Sequence, residues 1–143
     1  MNELENRQQQ IIEEFSIFSD WLDKYEYLIE LGKELEPLPD NDKTEQNLIK
    51  GCQSQVWLTA SYHEGILSFK ADSDAIITKG IIALLIKVLS GLKPTDIIDA
   101  NLHFVDAIGL RENLSPTRSN GLVSMIKQIK MYALAYNQRY NKQ

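Results

Sequence analysis

The spacing of apolar residues changes near the middle of the chain, and this change limits the folds open to it. Residues 56–62 alternate between apolar and polar side chains, as expected for a strand with one buried face. Residues 63–65 form a turn sequence, and residues 66–71 would be the returning strand of an antiparallel hairpin. Residues 75–89 are then apolar almost all round, which predicts a buried helix.

Helical spacing flanks this central unit on both sides. Apolar residues recur at helical intervals in residues 11–18 and, after an N-cap at Asp20, in residues 21–31, where Gly32 would end the helix. Residues 94–98 predict a short helix, and residues 122–136 a long one with Ser119 and Asn120 as cap candidates.

Residues 48–50 could add a short strand, so the sheet would have about three strands. We therefore predict an α+β fold, a small antiparallel sheet covered by helices, in a single domain of residues 1–143. Residues 1–10 and 137–143 are expected to fray because they are polar.

Composition excludes several classes of protein. The net charge is −5 and no run of Lys and Arg exceeds two residues, so no basic stripe for nucleic acid is present. The longest apolar stretch is interrupted by polar residues and is too short to cross a bilayer. The polar, acidic start does not resemble a secretory leader. With one cysteine, these features predict a cytoplasmic protein, and a monomer is the default.

Cys52 is the only cysteine, so it forms no internal disulfide and cannot alone hold zinc or an iron–sulfur cluster. It is either a small buried apolar side chain or a reactive thiol. Its neighbours Lys50 and Gln53 are polar, which favours a thiol on a loop over a core cysteine. Gly51 beside it would let the loop move and another sulfur approach closely.

A cysteine hydrolase would need a histidine base close to the sulfur. The chain offers only His63, in the predicted hairpin turn, and His103, on a mixed segment. Packing or solvated roles explain both histidines more simply. No metal site is expected from these residues, and no phosphate-binding loop is present.

Four segments in order resemble the SufE family, whose members accept sulfur from cysteine desulfurases, and together they span about residues 10–135. They are residues 27–32 (YLIELG), 51–57 (GCQSQVW), 71–75 (ADSDA) with the later Lys79-Gly80, and 114–122 (LSPTRSNGL). The second segment contains the only cysteine, which makes the resemblance specific. The family fold is also α+β and is similar to that of IscU-type scaffolds.

The resemblance implies a role for Cys52 as the sulfur acceptor. The partner would be a SufS-type cysteine desulfurase that carries pyridoxal phosphate, so this chain needs no cofactor of its own. Sulfur would then pass to a SufBCD-type scaffold for iron–sulfur cluster assembly. One thiol suits a carrier rather than a cluster scaffold, and a carrier that depends on a partner for its substrate is not a stand-alone enzyme.

Further residues follow from the same resemblance. Arg118 could favour the thiolate or persulfide anion of Cys52, position the loop or contact the partner. Gln53 flanks the sulfur, with Gly51 on its other side. Asp72 and Asp74 could belong to the partner-docking surface, although capping of the following helix would explain both. We expect a sulfur that is sheltered at rest and swings out when the partner docks.

Two other functions stay open on the sequence alone. One is a CsdE-type acceptor that serves a different desulfurase and a different destination for the sulfur. The other is a non-catalytic binding module in which Cys52 is only structural.

Overall fold

The hairpin forms the whole sheet. In the computed structural model, which describes residues 2–140, strands β1 (Val56–His63) and β2 (Ile66–Ser73) pair antiparallel with Val56 opposite Ser73. Glu64 and Gly65 connect them with φ of 50° and 83°, the positive values that a two-residue turn of this hand requires. This confirms the predicted hairpin.

Helices precede and follow the hairpin, and together they make the predicted α+β fold. They are α1 (Glu3–Ser16), α2 (Trp21–Lys33), α3 (Ile76–Leu89), α4 (Pro94–Ile98), α5 (Phe104–Ala107) and α6 (Pro116–Tyr140), with short 3-10 turns at Asp40–Asp42, Glu45–Asn47 and Arg111–Asn113. Within residues 2–140, no helix combines the length and apolar character needed to cross a membrane.

The sheet has two strands rather than about three. Leu48 forms a single bridge to Trp57, and Ile49 N–H donates to the Val56 carbonyl at 2.8 Å. The pairing stops there because Gly51, with φ of 95°, turns the chain away from β1. The predicted third strand is therefore only a bridge that leads into the Cys52 loop.

Helix α3 forms the centre of the core, as its all-round apolar pattern predicted. Its N-terminal part crosses α2 so closely that a Cβ on Gly80 would lie 2.3 Å from the Leu28 carbonyl oxygen. Gly32 is the facing glycine, where a Cβ would lie 3.1 Å from Gly80 N. The prediction that Gly32 ends α2 is wrong, since α2 continues to Lys33 and the glycine serves the helix crossing.

The N-terminal residues are not frayed as expected. Helix α1 begins at Glu3, where the Asn2 side chain accepts from Glu5 N–H at 2.8 Å. Gln8 is fully buried, its amide nitrogen donating to the Asn101 carbonyl and its oxygen accepting from Phe104 N–H, both at 3.1 Å. These distant backbone partners fix α1 despite its polar sequence. At the other end, residues 137–140 belong to α6, and residues 141–143 lie outside the described part.

Helix α6 begins earlier than the cap candidates Ser119 and Asn120 suggested. Its cap is Ser115, whose hydroxyl accepts from Arg118 N–H at 3.2 Å, and Pro116 is the first helical residue. Residues 116–121, which lie before the predicted helix of residues 122–136, are therefore helical, and this places Arg118 and Gly121 in the first turns of α6.

Candidate functional site

The loop that carries Cys52 is held at both ends. At its start, Ile49 N–H donates to the Val56 carbonyl. At its end, Gln55 N–H donates to the Asp74 carboxylate at 3.0 Å, and Asp74 N–H donates back to the Gln55 carbonyl at 3.2 Å. Residues 50–54 are thus a short span between two fixed points, with Cys52 at its centre.

Cys52 rests on the first turns of α6. Its thiol donates a weak hydrogen bond to the Gly121 carbonyl at 3.7 Å, and a Cβ on Gly121 would lie 3.6 Å from the sulfur. Gly51 packs against the same helix, where a Cβ would lie 2.3 Å from Ser124 Oγ. Gly51 is therefore needed for close packing and for its positive φ.

A cavity of about 340 Å³ opens beside the sulfur. It lies between the Cys52 loop and the first turns of α3 and α6. Its lining residues are Cys52, Gln53, Ser54, Thr78, Ile81, Ser115, Thr117, Arg118, Gly121 and Met125. The structure thus brings together three residues that the sequence singled out, Cys52, Gln53 and Arg118, at one half-enclosed space.

The sequence reasoning did not identify Thr78 or the hydroxyls of Ser54, Ser115 and Thr117. One feature of the sequence does distinguish Thr78: it is a hydroxyl residue inside the apolar run of residues 75–89, where a buried polar side chain is unexpected. The position of the other three depends on the contact between the loop and α6. That contact joins residues far apart in the chain, so spacing alone does not predict it.

Burial raises the pKa of the Cys52 thiol above its ordinary range, so the resting sulfur is protonated near neutral pH. The side chain is half-buried, in agreement with a sheltered sulfur. Arg118 is exposed at the rim of the cavity. No ion pair joins its guanidinium to a carboxylate of residues 2–140.

Asp74 holds the end of the Cys52 loop, Asp72 joins β2 to Lys43 and to α3, and neither side chain caps α3. Asp72 forms ion pairs with Lys43 at 3.0 Å and Lys79 at 3.2 Å, while Asp74 binds Gln55. Burial alone would raise the pKa of Asp72, but hydrogen bonds from Lys43, from Ser73 N–H and from Lys79 outweigh it and lower that pKa. The capping interpretation is wrong because the N-cap of α3 is Ala75, whose backbone is extended. Asp72 and Asp74 precede this residue, and no side chain among residues 2–140 makes a capping hydrogen bond to α3.

Neither histidine lines the Cys52 cavity. His103 Nε2 lies 2.8 Å from the Glu5 carboxylate, and His63 is exposed at the end of β1 beside Glu64. The arrangement that a cysteine hydrolase needs is therefore not formed here. Within residues 2–140, no group of three or more His, Cys, Asp or Glu residues is placed to hold a metal ion.

Comparisons with known proteins bear on the fold and on the family of this chain. A solution structure of a hypothetical protein from Thermus thermophilus matches 90% of this chain and 94% of its own length, with a TM-score of 0.74 at 21% identity. That likeness supports the fold alone.

Relatives with higher identity come from bacteria and a plant. An uncharacterized SufE-like protein of Rhizobium meliloti is 43% identical over 130 residues, 87% of this chain and 92% of that protein. One from Synechocystis sp. is 40% identical, over 88% of this chain and 79% of its own. SufE-like protein 1, chloroplastic/mitochondrial, of Arabidopsis thaliana is 40% identical over 94% of this chain, which spans 36% of the longer plant protein.

The model of the SufE family, described as an Fe-S metabolism associated domain, matches residues 9–133 and so spans all the elements around the cavity. The resemblance drawn from the four sequence segments is confirmed, and this chain belongs to the SufE family.

Proposed function

We propose that this protein is a sulfur acceptor in iron–sulfur metabolism, with Cys52 as the residue that takes up the sulfur. The observation that carries the proposal is the position of the lone thiol. It lies half-buried on a tethered loop, at the side of a cavity rimmed by hydroxyls and one arginine. A structural cysteine would not need this adjacent space, whereas a carrier needs room for a second sulfur.

The reaction is an exchange between a thiolate and a partner's persulfide. The Cys52 thiolate attacks the outer sulfur of the persulfide on a cysteine desulfurase. The bond between the partner's two sulfurs breaks, and its electron pair leaves with the partner's inner sulfur as thiolate. The outer sulfur, now bonded to Cys52, forms a persulfide. No electrons are gained or lost overall, so no external oxidant or reductant is required.

Docking of the partner must raise the fraction of thiolate, because burial keeps the resting thiol protonated. Movement of Cys52 off Gly121 towards solvent would do this by removing the burial. Arg118 is placed on the rim to contribute a positive charge. The amide end of α6 acts in the same direction, since the first turn of a helix favours negative charge. The sulfur is thus sheltered at rest and activated on contact.

The remaining assignments are those that membership of the SufE family implies. The chain passes sulfur from a SufS-type desulfurase to a SufBCD-type scaffold and stimulates the desulfurase by removing its persulfide. It is an accessory protein without its own cofactor, and pyridoxal phosphate belongs to the desulfurase. We propose that it acts as a monomer in the cytoplasm, and that Asp72 and Asp74 belong to the surface on which the partner docks.

Mass spectrometry of the intact protein tests the acceptor role. After incubation with a SufS-type desulfurase and free L-cysteine, the wild type should gain one sulfur, about 32 Da, and dithiothreitol should remove it. Cys52→Ser should gain nothing and should not stimulate the desulfurase. A sample without L-cysteine controls for adducts from purification. An unmodified wild type, or an equal mass gain in Cys52→Ser, would contradict the proposal.

A further inference from the structure

Thr78 is an unusual residue on the wall of the Cys52 cavity. It is 7% exposed, and it is one of two buried polar residues in the described part of the chain. In the other, Gln8, the amide nitrogen and the amide oxygen are both hydrogen-bonded, as described above. No hydrogen bond links the Thr78 hydroxyl to another residue among 2–140, and the residue lines the cavity beside Cys52.

Thr78 contributes to the wall of the cavity. Among residues 2–140, no fully enclosed side-chain nitrogen or oxygen lacks a hydrogen-bond partner, so this unpaired oxygen is not sealed in the core. A threonine within a helix can donate its hydroxyl to a carbonyl of the preceding turn. Thr78 lies in the first turn of α3 and does not do so. It therefore holds an unused donor in the wall of the cavity, where a bound group could accept the bond.

A persulfide on Cys52 would be accommodated best on the side of the cavity. The inner sulfur lies 3.7 Å from the Gly121 carbonyl oxygen, whose partial negative charge disfavours an anionic outer sulfur on that side. The cavity lies beside the same sulfur and has room for another atom. The outer sulfur would therefore point into the cavity, which Thr78 lines.

We propose that the Thr78 hydroxyl donates a hydrogen bond to the outer sulfur of the Cys52 persulfide and so favours its anionic form. This inference rests on the proposed function, because it requires that Cys52 carries a persulfide. Thr78 is distinguished from the other hydroxyls by its burial. Ser115 and Thr117 are exposed, so water competes with any bond they make, and Ser115 already accepts from Arg118 N–H.

The test loads Cys52 chemically, without a desulfurase. The full-length protein is treated with sodium polysulfide and then freed of excess reagent. The Cys52 thiolate attacks a terminal sulfur, and the remaining polysulfide leaves with the electron pair of the broken bond. Because Cys52 is the only cysteine, the pH dependence of persulfide alkylation by iodoacetamide reports one site.

The variants separate the hydroxyl from the volume of the side chain. Thr78→Val keeps the shape and removes the donor, while Thr78→Ser keeps the donor. Thr59→Val makes the same replacement on β1, outside the lining of the cavity. We expect Thr78→Val to raise the apparent pKa of the persulfide by about one unit, because a charged acceptor loses one hydrogen bond. Thr78→Ser and Thr59→Val should titrate like the wild type.

An unchanged persulfide pKa in Thr78→Val would overturn the inference, and so would equal shifts in Thr78→Val and Thr78→Ser, which would indicate packing. If Thr78→Val does not fold, Thr78→Ala provides the same comparison. Failure of the proposed function is read separately. Suppose that Thr78→Val raises the pKa of the chemically loaded persulfide but the desulfurase transfers no sulfur to Cys52. The role of Thr78 is then supported, and the assignment of a cysteine desulfurase as the source of the sulfur is wrong.

Discussion

The thiol of Cys52 and the carbonyl oxygen of Gly121 lie 3.7 Å apart, although 69 positions separate them in the chain. This contact packs the Cys52 loop against α6 and determines how far the sulfur is buried. Gly121 has no side chain at the point where a Cβ would lie 3.6 Å from the sulfur. The packing of the sulfur against α6 therefore depends on a small residue at position 121.

Enlarging residue 121 should move the sulfur outwards. A methyl group fits at ordinary contact distance, so Gly121→Ala should keep the loop in place and stabilise α6 by about 0.5–1 kcal/mol through helix propensity. Gly121→Val adds two methyl groups on Cβ, which would push the sulfur of Cys52 away from α6. We expect Gly121→Val to be alkylated by iodoacetamide several-fold faster than Gly121→Ala, because exposure lowers the pKa of the thiol. Equal rates in the two variants would show that Gly121 does not cover Cys52.

Gly51→Ala should destabilise the protein for two separate reasons. The residue has φ of 95°, and its Cβ would lie 2.3 Å from Ser124 Oγ. Gly65→Ala is the matched control, since Gly65 has φ of 83° but no atom near its would-be Cβ. We expect a loss of about 1 kcal/mol for Gly65→Ala and about 2–4 kcal/mol for Gly51→Ala in urea denaturation.

A second substitution separates steric overlap from backbone strain at Gly51. Ser124→Ala removes the oxygen that lies nearest to the new methyl group. The double variant should therefore recover part of the stability lost in Gly51→Ala, leaving a deficit close to that of Gly65→Ala. No recovery would show that the clash contributes nothing.

The raised pKa of Cys52 predicts how its reactivity and the stability of the fold depend on pH. Burial disfavours the thiolate, so the alkylation rate of the folded protein should reach its midpoint above about pH 8.5, the value of a free cysteine. The folded state also binds the thiol proton more tightly than the unfolded state. Its contribution to stability is therefore present below about pH 8.5 and is lost as the pH rises through the folded value. The difference in unfolding free energy between wild type and Cys52→Ser should change over this interval, and a constant difference would contradict the assignment.

The sequence predicted those features that depend on neighbouring residues. The alternation in residues 56–62, the turn after His63 and the apolar run before Leu89 gave the hairpin and α3 nearly at their observed bounds. It did not predict the start of α1, because Gln8 is fixed by backbone groups more than 90 positions away. The cap of α6 was misplaced by a few residues because several polar residues in that segment are good caps.

In the candidate site, too, the sequence predicts what depends on neighbouring residues and does not predict what depends on contacts distant in the chain. Cys52 stands out as the lone cysteine in a polar segment, and Arg118 entered through the family resemblance. Thr78 shares the cavity only because α3 and α6 pack side by side around the loop. The sequence predicts a helix end at Gly32 because a glycine at a tight crossing and a glycine at a cap give the same local signal.

The crossing of α2 and α3 should not tolerate a side chain at residue 80. A Cβ there would lie 2.3 Å from the Leu28 carbonyl oxygen, a backbone atom that cannot move without shifting α2. Gly80→Ala should therefore cost about 3 kcal/mol or more of unfolding free energy. In Gly32→Ala the nearest atom is at 3.1 Å, so the loss should be smaller. Equal losses in thermal or urea unfolding would indicate that the two helices adjust freely.

Asp72 should make the junction between β2, Lys43 and α3 sensitive to acid. Its side chain is 18% exposed and bridges Lys43 and Lys79. Burial alone would raise the pKa of its carboxyl, but the two lysines and Ser73 N–H lower that pKa overall. The unfolded state therefore binds its proton more readily, and the stability it contributes is present above about pH 4 and lost as the pH falls through the folded value.

Asp72→Asn should lower the unfolding free energy at pH 7 by about 1–3 kcal/mol, because two lysines lose their shared partner. The difference from wild type should shrink at low pH, where Asp72 is protonated in both states of the wild type. Asp40→Asn is the control: its carboxylate is 97% exposed and meets the same Lys43 at 3.5 Å, so the change should be close to zero. A deficit in Asp72→Asn that persists unchanged down to about pH 2 would show that packing, rather than charge, holds this junction.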